Sequence, residues 1–271
     1  MSIRNSLVAF NGSEGALSAL KYAASLAGSA GHVTALLAHS THEDVNSHAP
    51  WVPAKAREII AQANADVLAE IEGRFETTRD ALDLGQRLHF ERVSGRVDKV
   101  LSETARSFDL LIAGQDLAEQ VDAHVMLHPD RIALLSGRPI LIVPSEHKSA
   151  TRAHVVVAWD GGRAAARALS DSLSLLDSES HVTVLTVGET GASVSAADVV
   201  RHLERHAVTA THEHIPADPG VARALLAYCQ NNNPDVLVMG AYEHSKFRED
   251  FLGGVTARVL REVPVPVLLS H

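Results

Sequence analysis

Cysteine, excess positive charge and long apolar runs are all scarce in this 271-residue chain, and each scarcity excludes something. A single cysteine, Cys229, rules out an internal disulfide framework and a cysteine-based zinc finger, and fits a reducing cytoplasm. Lys and Arg number 24 against 33 Asp and Glu, a formal charge of −9. Both halves are acidic, so phosphate-backbone attraction gives no general drive toward DNA or RNA. No apolar stretch approaches the roughly 18 residues that span a bilayer. The run from Leu7 to Phe10 is too short for the apolar segment of a signal peptide, and no small-residue cleavage site follows it. The expectation is an acidic cytoplasmic protein with neither a nucleic-acid nor a membrane partner. At roughly 150 residues per domain, the length suggests about two domains.

What the chain does contain is a repeat. Shifted by 149 residues, positions 7–39 lie ungapped on 156–188. Val8-Ala9 falls on Val157-Ala158, Gly12 on Gly161, Ala19-Leu20 on Ala168-Leu169, and His32-Val33-Thr34 on His181-Val182-Thr183. Further on the offset shortens: the run from Asp109 to Gly114 matches Asp235 to Gly240, and Pro139 matches Pro266. A tandem duplication follows, with units at 1–146 and 152–271 joined through a polar linker.

Each unit alternates short apolar runs with helical patterns. In the second, strands are expected at 153–159, 182–187, 209–215, 236–239 and 266–269, with helices at 163–176, 196–206, 219–232 and 255–262. Continuous apolar runs mark strands buried on both faces. In the first unit a long helix is expected over 53–82, periodic in Ile59, Ala63, Val67, Leu68 and Ile71. The fold class is α/β: two tandem doubly wound parallel sheets of five strands.

Ligands of such sheets bind beyond the carboxyl ends of the strands. After strand one of the second unit stands Asp160-Gly161-Gly162, where a carboxylate can accept hydrogen bonds from a ligand or simply cap the next helix. After strand four, a loop from Gly240 reaches Gly253-Gly254-Val255-Thr256 at a helix start. Backbone N–H groups and the helix dipole can hold an anion there, and Lys246 and Arg248 add positive charge. The bland alternative is a tight turn before a helix.

The aspartate after strand one, a loop approaching Gly-x-x-Gly-x9-Gly-Ser/Thr after strand four, and the terminal Val263-Pro-Val-Pro-Val267 run together resemble the universal stress protein family. The resemblance covers nearly the whole chain as a tandem member. It implies a Rossmann-like fold akin to the adenine nucleotide alpha hydrolases, with the last strands of the two units pairing as an internal pseudo-dimer. It also implies a stress-response sensor or regulator that binds ATP or AMP, with Mg²⁺ as an accessory. Asp160 and Val187 would then face the adenine, Gly240 the ribose, and Gly253, Gly254, Val255 and Thr256 the phosphates. Two departures stand out: Glu243 replaces the second glycine, and Gly254 replaces the Ser/Thr. The first unit departs further, with Asn11 for the aspartate and Met126-Leu127 where Gly253-Gly254 stand. It is expected not to bind nucleotide in the family's manner.

Sixteen histidines are the compositional oddity. His124/His128 and His202/His206 are i,i+4 pairs, His212 and His214 share strand three, and His39, His42 and His48 fall close together. A zinc site through His202, His206 and His214 competes with solvated surface positions for these residues, and no metal is assigned. No nucleophile–base–acid order or carboxylate pair stands out, so no residue is assigned to catalysis. Besides the nucleotide sensor, two readings stay open: an interaction scaffold with decayed sites, and a slow metal-dependent ATP hydrolase. Further dimerisation is left open.

Overall fold

A computed structural model describes residues 3–41, 53–115, 122–147, 150–189, 194–241 and 254–271. The first unit runs β1 (Asn5–Ala9), α1 (Glu14–Ala27), β2 (His32–His39), α2 (Ala54–Arg79), β3 (Leu88–Ser94), α3 (Val97–Ala105), β4 (Leu110–Gln115), α4 (Pro129–Ser136) and β5 (Ile140–Pro144). The second runs β6 (His154–Ala158), α5 (Arg163–Ser172), β7 (His181–Val187), α6 (Ala196–Arg205), β8 (Thr209–Ile215), α7 (Val221–Asn232), β9 (Val236–Gly240), α8 (Val255–Glu262) and β10 (Val267–Ser270). No helix among the described residues is long and apolar enough to cross a membrane.

All ten strands join one sheet in the order β3-β2-β1-β4-β5-β10-β9-β6-β7-β8. Within each unit every pairing is parallel, and the two units meet through the antiparallel pair β5–β10. Leu268 stands opposite Leu141 and Val267 opposite Ile142, all of them buried. The expected pseudo-dimer is therefore a continuous sheet with a local two-fold relation at its centre.

The duplication holds at the level of single hydrogen bonds. Phe10 N–H donates to the Leu36 carbonyl at 3.0 Å, and Trp159 N–H to Leu185 at 2.8 Å. Asp109 accepts from the Arg4 and Asn5 N–H groups, and Asp235 accepts from the equivalent His154 N–H. These carboxylates take up backbone donors at the strand starts, which otherwise need water.

Burial follows position in the sheet. The central strands carry apolar residues toward both helical layers, giving one core beneath α1, α2, α5 and α6 and another beneath α3, α4, α7 and α8. The outermost strands, β3 and β8, are polar and largely exposed, as suits edges that must not recruit further strands. The long helix is shorter than 53–82 by a closing 3-10 turn at Asp80–Leu82. Its periodicity is only half used: Leu68, Ile71 and Phe75 are buried, whereas Ile59 is 63% exposed. The helix expected at 163–176 stops at Ser172, whose hydroxyl turns back to donate to the Leu169 carbonyl.

Leu268→Ala should lower the unfolding free energy by about 2–5 kcal/mol, since it opens a cavity where the two units meet. Denaturant titration checks this, and a loss below about 1 kcal/mol would mean that the pairing is not part of the cooperative core.

Candidate functional site

Strand register brings the candidate residues of the second unit to one level. Ala158 pairs with Leu185, so Asp160 and Val187 each lie two residues further along adjacent strands. Val157 pairs with Val238 on the other side, which puts Gly240 within one residue of that level. Asp160 is exposed, while Val187 and Gly240 are half-buried.

The turn after β6 shows what Asp160 does within the fold. Its Oδ1 accepts from the Gly162 N–H at 2.8 Å, while Gly161 takes a φ of 80°. In the first unit Asn11 Oδ1 accepts from the Ser13 N–H at 3.1 Å, with Gly12 at φ 77°. A side-chain oxygen two residues back and a glycine in the left-handed region make the same turn twice. Asp160 thus makes the turn before α5 without capping that helix, whose N-cap is Gly162, and the turn needs no negative charge.

Gly240 has a packing reason to be glycine. A Cβ there would lie 2.6 Å from the backbone of Ala164 and Ala165 at the start of α5. Gly114 is pressed in the same way against Gly15 and Ala16 of α1. Gly254 differs: it is the N-cap of α8 with an ordinary φ of −75°, and a Cβ there would meet no described residue within 4 Å. Among the described residues no side chain caps α8, and its first N–H groups, from Val255 onward, have no partner within the helix. Val255 is 39% exposed, whereas Thr256 is 6% exposed, which withdraws its hydroxyl from solvent. Gly253, Glu243, His244, Ser245, Lys246 and Arg248 lie outside the described residues.

One cation was passed over in the sequence. Arg163 is exposed at the first position of α5, directly after the Asp160 turn. A positive charge there opposes the helix dipole, at a cost of about 0.3–1 kcal/mol. The repeat aligns it with Glu14, an acid that suits the start of α1. That charge reversal was the available signal.

The first unit closes the equivalent space with its own chain. Ile71 of α2 lies over Gly12, 2.8 Å from where a Cβ would stand. Val125 is 2% exposed, the His124 carbonyl accepts from the Ser40 N–H at 2.7 Å, and Leu127 packs against the core. His124 and His128 are not on one helix face. His124 sits in a turn, and His128 precedes α4, where its ring meets Asp98 at 2.9 Å.

The other histidines sort by strand and helix. The His202 and His206 rings meet edge to face, with centroids 4.8 Å apart at the end of α6. His212 and His214 instead flank the Thr186 hydroxyl, at 3.0 and 3.1 Å. Among the described residues no group of three or more metal-ligating side chains converges. His39 ends β2 beside Arg92, and His42 and His48 lie outside the described residues. His154 faces His181 across the β6–β7 pair, with ring centroids 6.2 Å apart. Desolvation first, then the His181 ring, holds the His154 pKa below its ordinary 6.5, against pulls from Asp235 and Glu213.

These features define a tandem doubly wound α/β protein whose second unit brings Asp160, Val187 and Gly240 to one level at the strand ends. The model of the universal stress protein family matches residues 151–271. A universal stress protein from Synechocystis is 29% identical over 179 residues, which cover 62% of this chain and 60% of that relative. A universal stress protein from Archaeoglobus fulgidus has the same fold over 99% of this chain and 96% of its own, with a TM-score of 0.69 at 16% identity. A Pseudomonas aeruginosa protein of unknown function aligns over 99% of this chain and 92% of its own, with a TM-score of 0.54 at 15% identity. Residues 151–271 are thus similar to the universal stress protein family, and the first half of the chain repeats that unit's topology.

Two outcomes check the site's construction. Gly240→Ala should destabilise by about 1–3 kcal/mol through overpacking against α5, while Gly254→Ala should stay within about 1 kcal/mol of the parent in the same unfolding assay. For His154 the unfolded chain binds a proton more readily than the folded one. Stability should therefore fall as pH drops below about 6.5, and the fall should shrink in His154→Gln. Thermal melts between pH 5 and 8 read the slope.

Proposed function

We propose that the second unit binds an adenine nucleotide, ATP or AMP, with the first unit silent, and that the protein acts as a nucleotide-responsive regulator in the stress response. The observation that carries this is the N-terminus of α8 behind Gly254, which no described side chain caps and where a Cβ would meet no described residue within 4 Å. Helix N–H groups and the dipole favour phosphate there. Asp160, Val187 and Gly240 stand together at the neighbouring strand ends, at the level where a base and ribose would lie. Arg163 supplies positive charge beside them, in a place where the helix itself gains nothing from it. Gly253 would extend the phosphate cradle. Mg²⁺ would offset the repulsion between Glu243 and a triphosphate.

A second reading has an observation of its own. The Asp160 carboxylate makes the same turn as Asn11, in a unit whose equivalent space is filled. On that reading Asp160 serves only the turn, and the protein is an interaction scaffold. Slow hydrolysis of ATP is a third course, detected as product over hours.

Asp160→Asn separates the first two. Because Asn already makes this turn at position 11, the variant should melt within about 1 kcal/mol of the parent. Calorimetric titration with ATP, with and without Mg²⁺, should show one site per chain, weakened at least tenfold in Asp160→Asn. No saturable binding up to millimolar ATP would overturn the nucleotide reading in favour of the scaffold. Undiminished binding in the variant would remove Asp160 from the site.

A further inference from the structure

The outer strands of the first unit carry a pair of histidines remote from the strand-end site. His32 opens β2, and His89 is the second residue of β3, an edge of the ten-strand sheet. Thr34 stands opposite His89 in the parallel register, so His32, two residues back, faces His89 along the diagonal. Diagonal neighbours on one face lie within reach of long side chains. Here His32 Nδ1 and His89 Nε2 meet at 3.4 Å, with the rings 4° from parallel and their centres 5.7 Å apart. Both residues are exposed. The backbone beneath them is tied down: His32 N–H donates to the Arg4 carbonyl at 2.8 Å. Just before β3, the Arg87 guanidinium donates to the Gly28 and Gly31 carbonyls, each at 2.9 Å.

The second unit supplies the comparison. The 149-residue shift puts His32 on His181. Thr211 stands opposite Thr183 as His89 stands opposite Thr34, so Thr211 holds the place of His89. There the His181 Nε2 meets the Thr211 hydroxyl at 3.1 Å, an ordinary hydrogen bond. In the first unit an imidazole replaces that hydroxyl, and the gap is 3.4 Å, beyond the roughly 2.7–3.2 Å of ordinary N–H donors. Two nitrogens bound tetrahedrally at about 2.0–2.1 Å from a zinc ion lie about 3.3–3.4 Å apart. The separation is loose for a hydrogen bond and right for a shared ion.

We propose that His32 and His89 form a two-histidine site for a divalent transition-metal ion of the zinc or copper type. Each neutral ring has one nitrogen that carries a proton and one that offers a lone pair. With the protons on His32 Nε2 and His89 Nδ1, both facing nitrogens present lone pairs, and a cation between them turns repulsion into ligation. A modest turn of each ring makes the two lone pairs converge on one ion. Imidazole nitrogen suits zinc, copper and nickel, whereas magnesium and calcium take oxygen ligands. Water completes the coordination shell, since both rings reach solvent. The bound ion would fasten the edge strand β3 to β2 at their amino ends. The proposal does not depend on nucleotide binding.

The test uses the full, untagged chain labelled with nitrogen-15, and Zn²⁺ as the probe. The ring-nitrogen NMR signals of His32 and His89 are assigned from the variants His32→Gln and His89→Thr. The second places at position 89 the residue type that the other unit carries at Thr211, so the strand should be kept. Zn²⁺ should shift both rings with one common midpoint and saturate at one ion per chain for this pair. Mg²⁺ at the same concentration should move neither. In His89→Thr the response of His32 should weaken at least tenfold, and in His32→Gln that of His89 should do the same. The double variant His212→Gln/His214→Gln, which removes the close pair on β8, should leave both responses unchanged. Separate midpoints for the two rings, an undiminished response of one after the other is replaced, or no response up to millimolar Zn²⁺ would overturn the proposal. So would loss of the response in the double variant, which would put the ion on β8.

Discussion

The antiparallel pairing of β5 with β10 is the constraint from which the rest of the molecule follows. A five-strand doubly wound unit ends in an apolar strand whose outer edge is unpaired. Here that strand reads Ile140–Pro144 in one unit and Val267–Ser270 in the other. Each satisfies the other's backbone groups and buries the other's side chains, so two incomplete edges become the middle of one sheet. The helices α1 and α5 are thereby brought toward the foreign unit's strand starts.

Much of the fold could be read from the residues. Strand β8 at Thr209–Ile215 and helix α8 at Val255–Glu262 lie where the pattern puts them. Buried parallel strands announce themselves because both faces are apolar. Helix lengths were less legible, because apolar periodicity runs on past the point where a helix still has something to cover. Ile59 belongs to the same periodic row as Ile71 yet lies in solvent. The i,i+4 spacing of His124 and His128 would put them on one face only of a helix, and His124 sits in a turn while His128 precedes α4.

The candidate site was legible as a set of positions and less so as a set of roles. Sequence could name Asp160 and Gly240 but could not tell that each also serves the fold, one through the turn to Gly162 and the other through contact with α5. Those duties need the neighbouring backbone, which is remote in sequence. Conversely, the absence of contact with any described residue at Gly254 is what separates it from a packing glycine. Arg163 shows the opposite failure. Its signal was present in the alignment with Glu14, but it emerges only when a cation at a helix start is seen as costly.

The linker has a consequence that reaches beyond geometry. In an assembly of two identical subunits each interface residue must serve on both sides of the axis, so a change is always made twice. A covalent tie between the units removes that symmetry: a substitution in one half leaves its counterpart untouched. The tie also replaces protein concentration with a fixed effective concentration, so the pairing of units does not depend on how much protein the cell holds. One chain can thus carry Asn11 in one turn and Asp160 in its counterpart, at any level of expression.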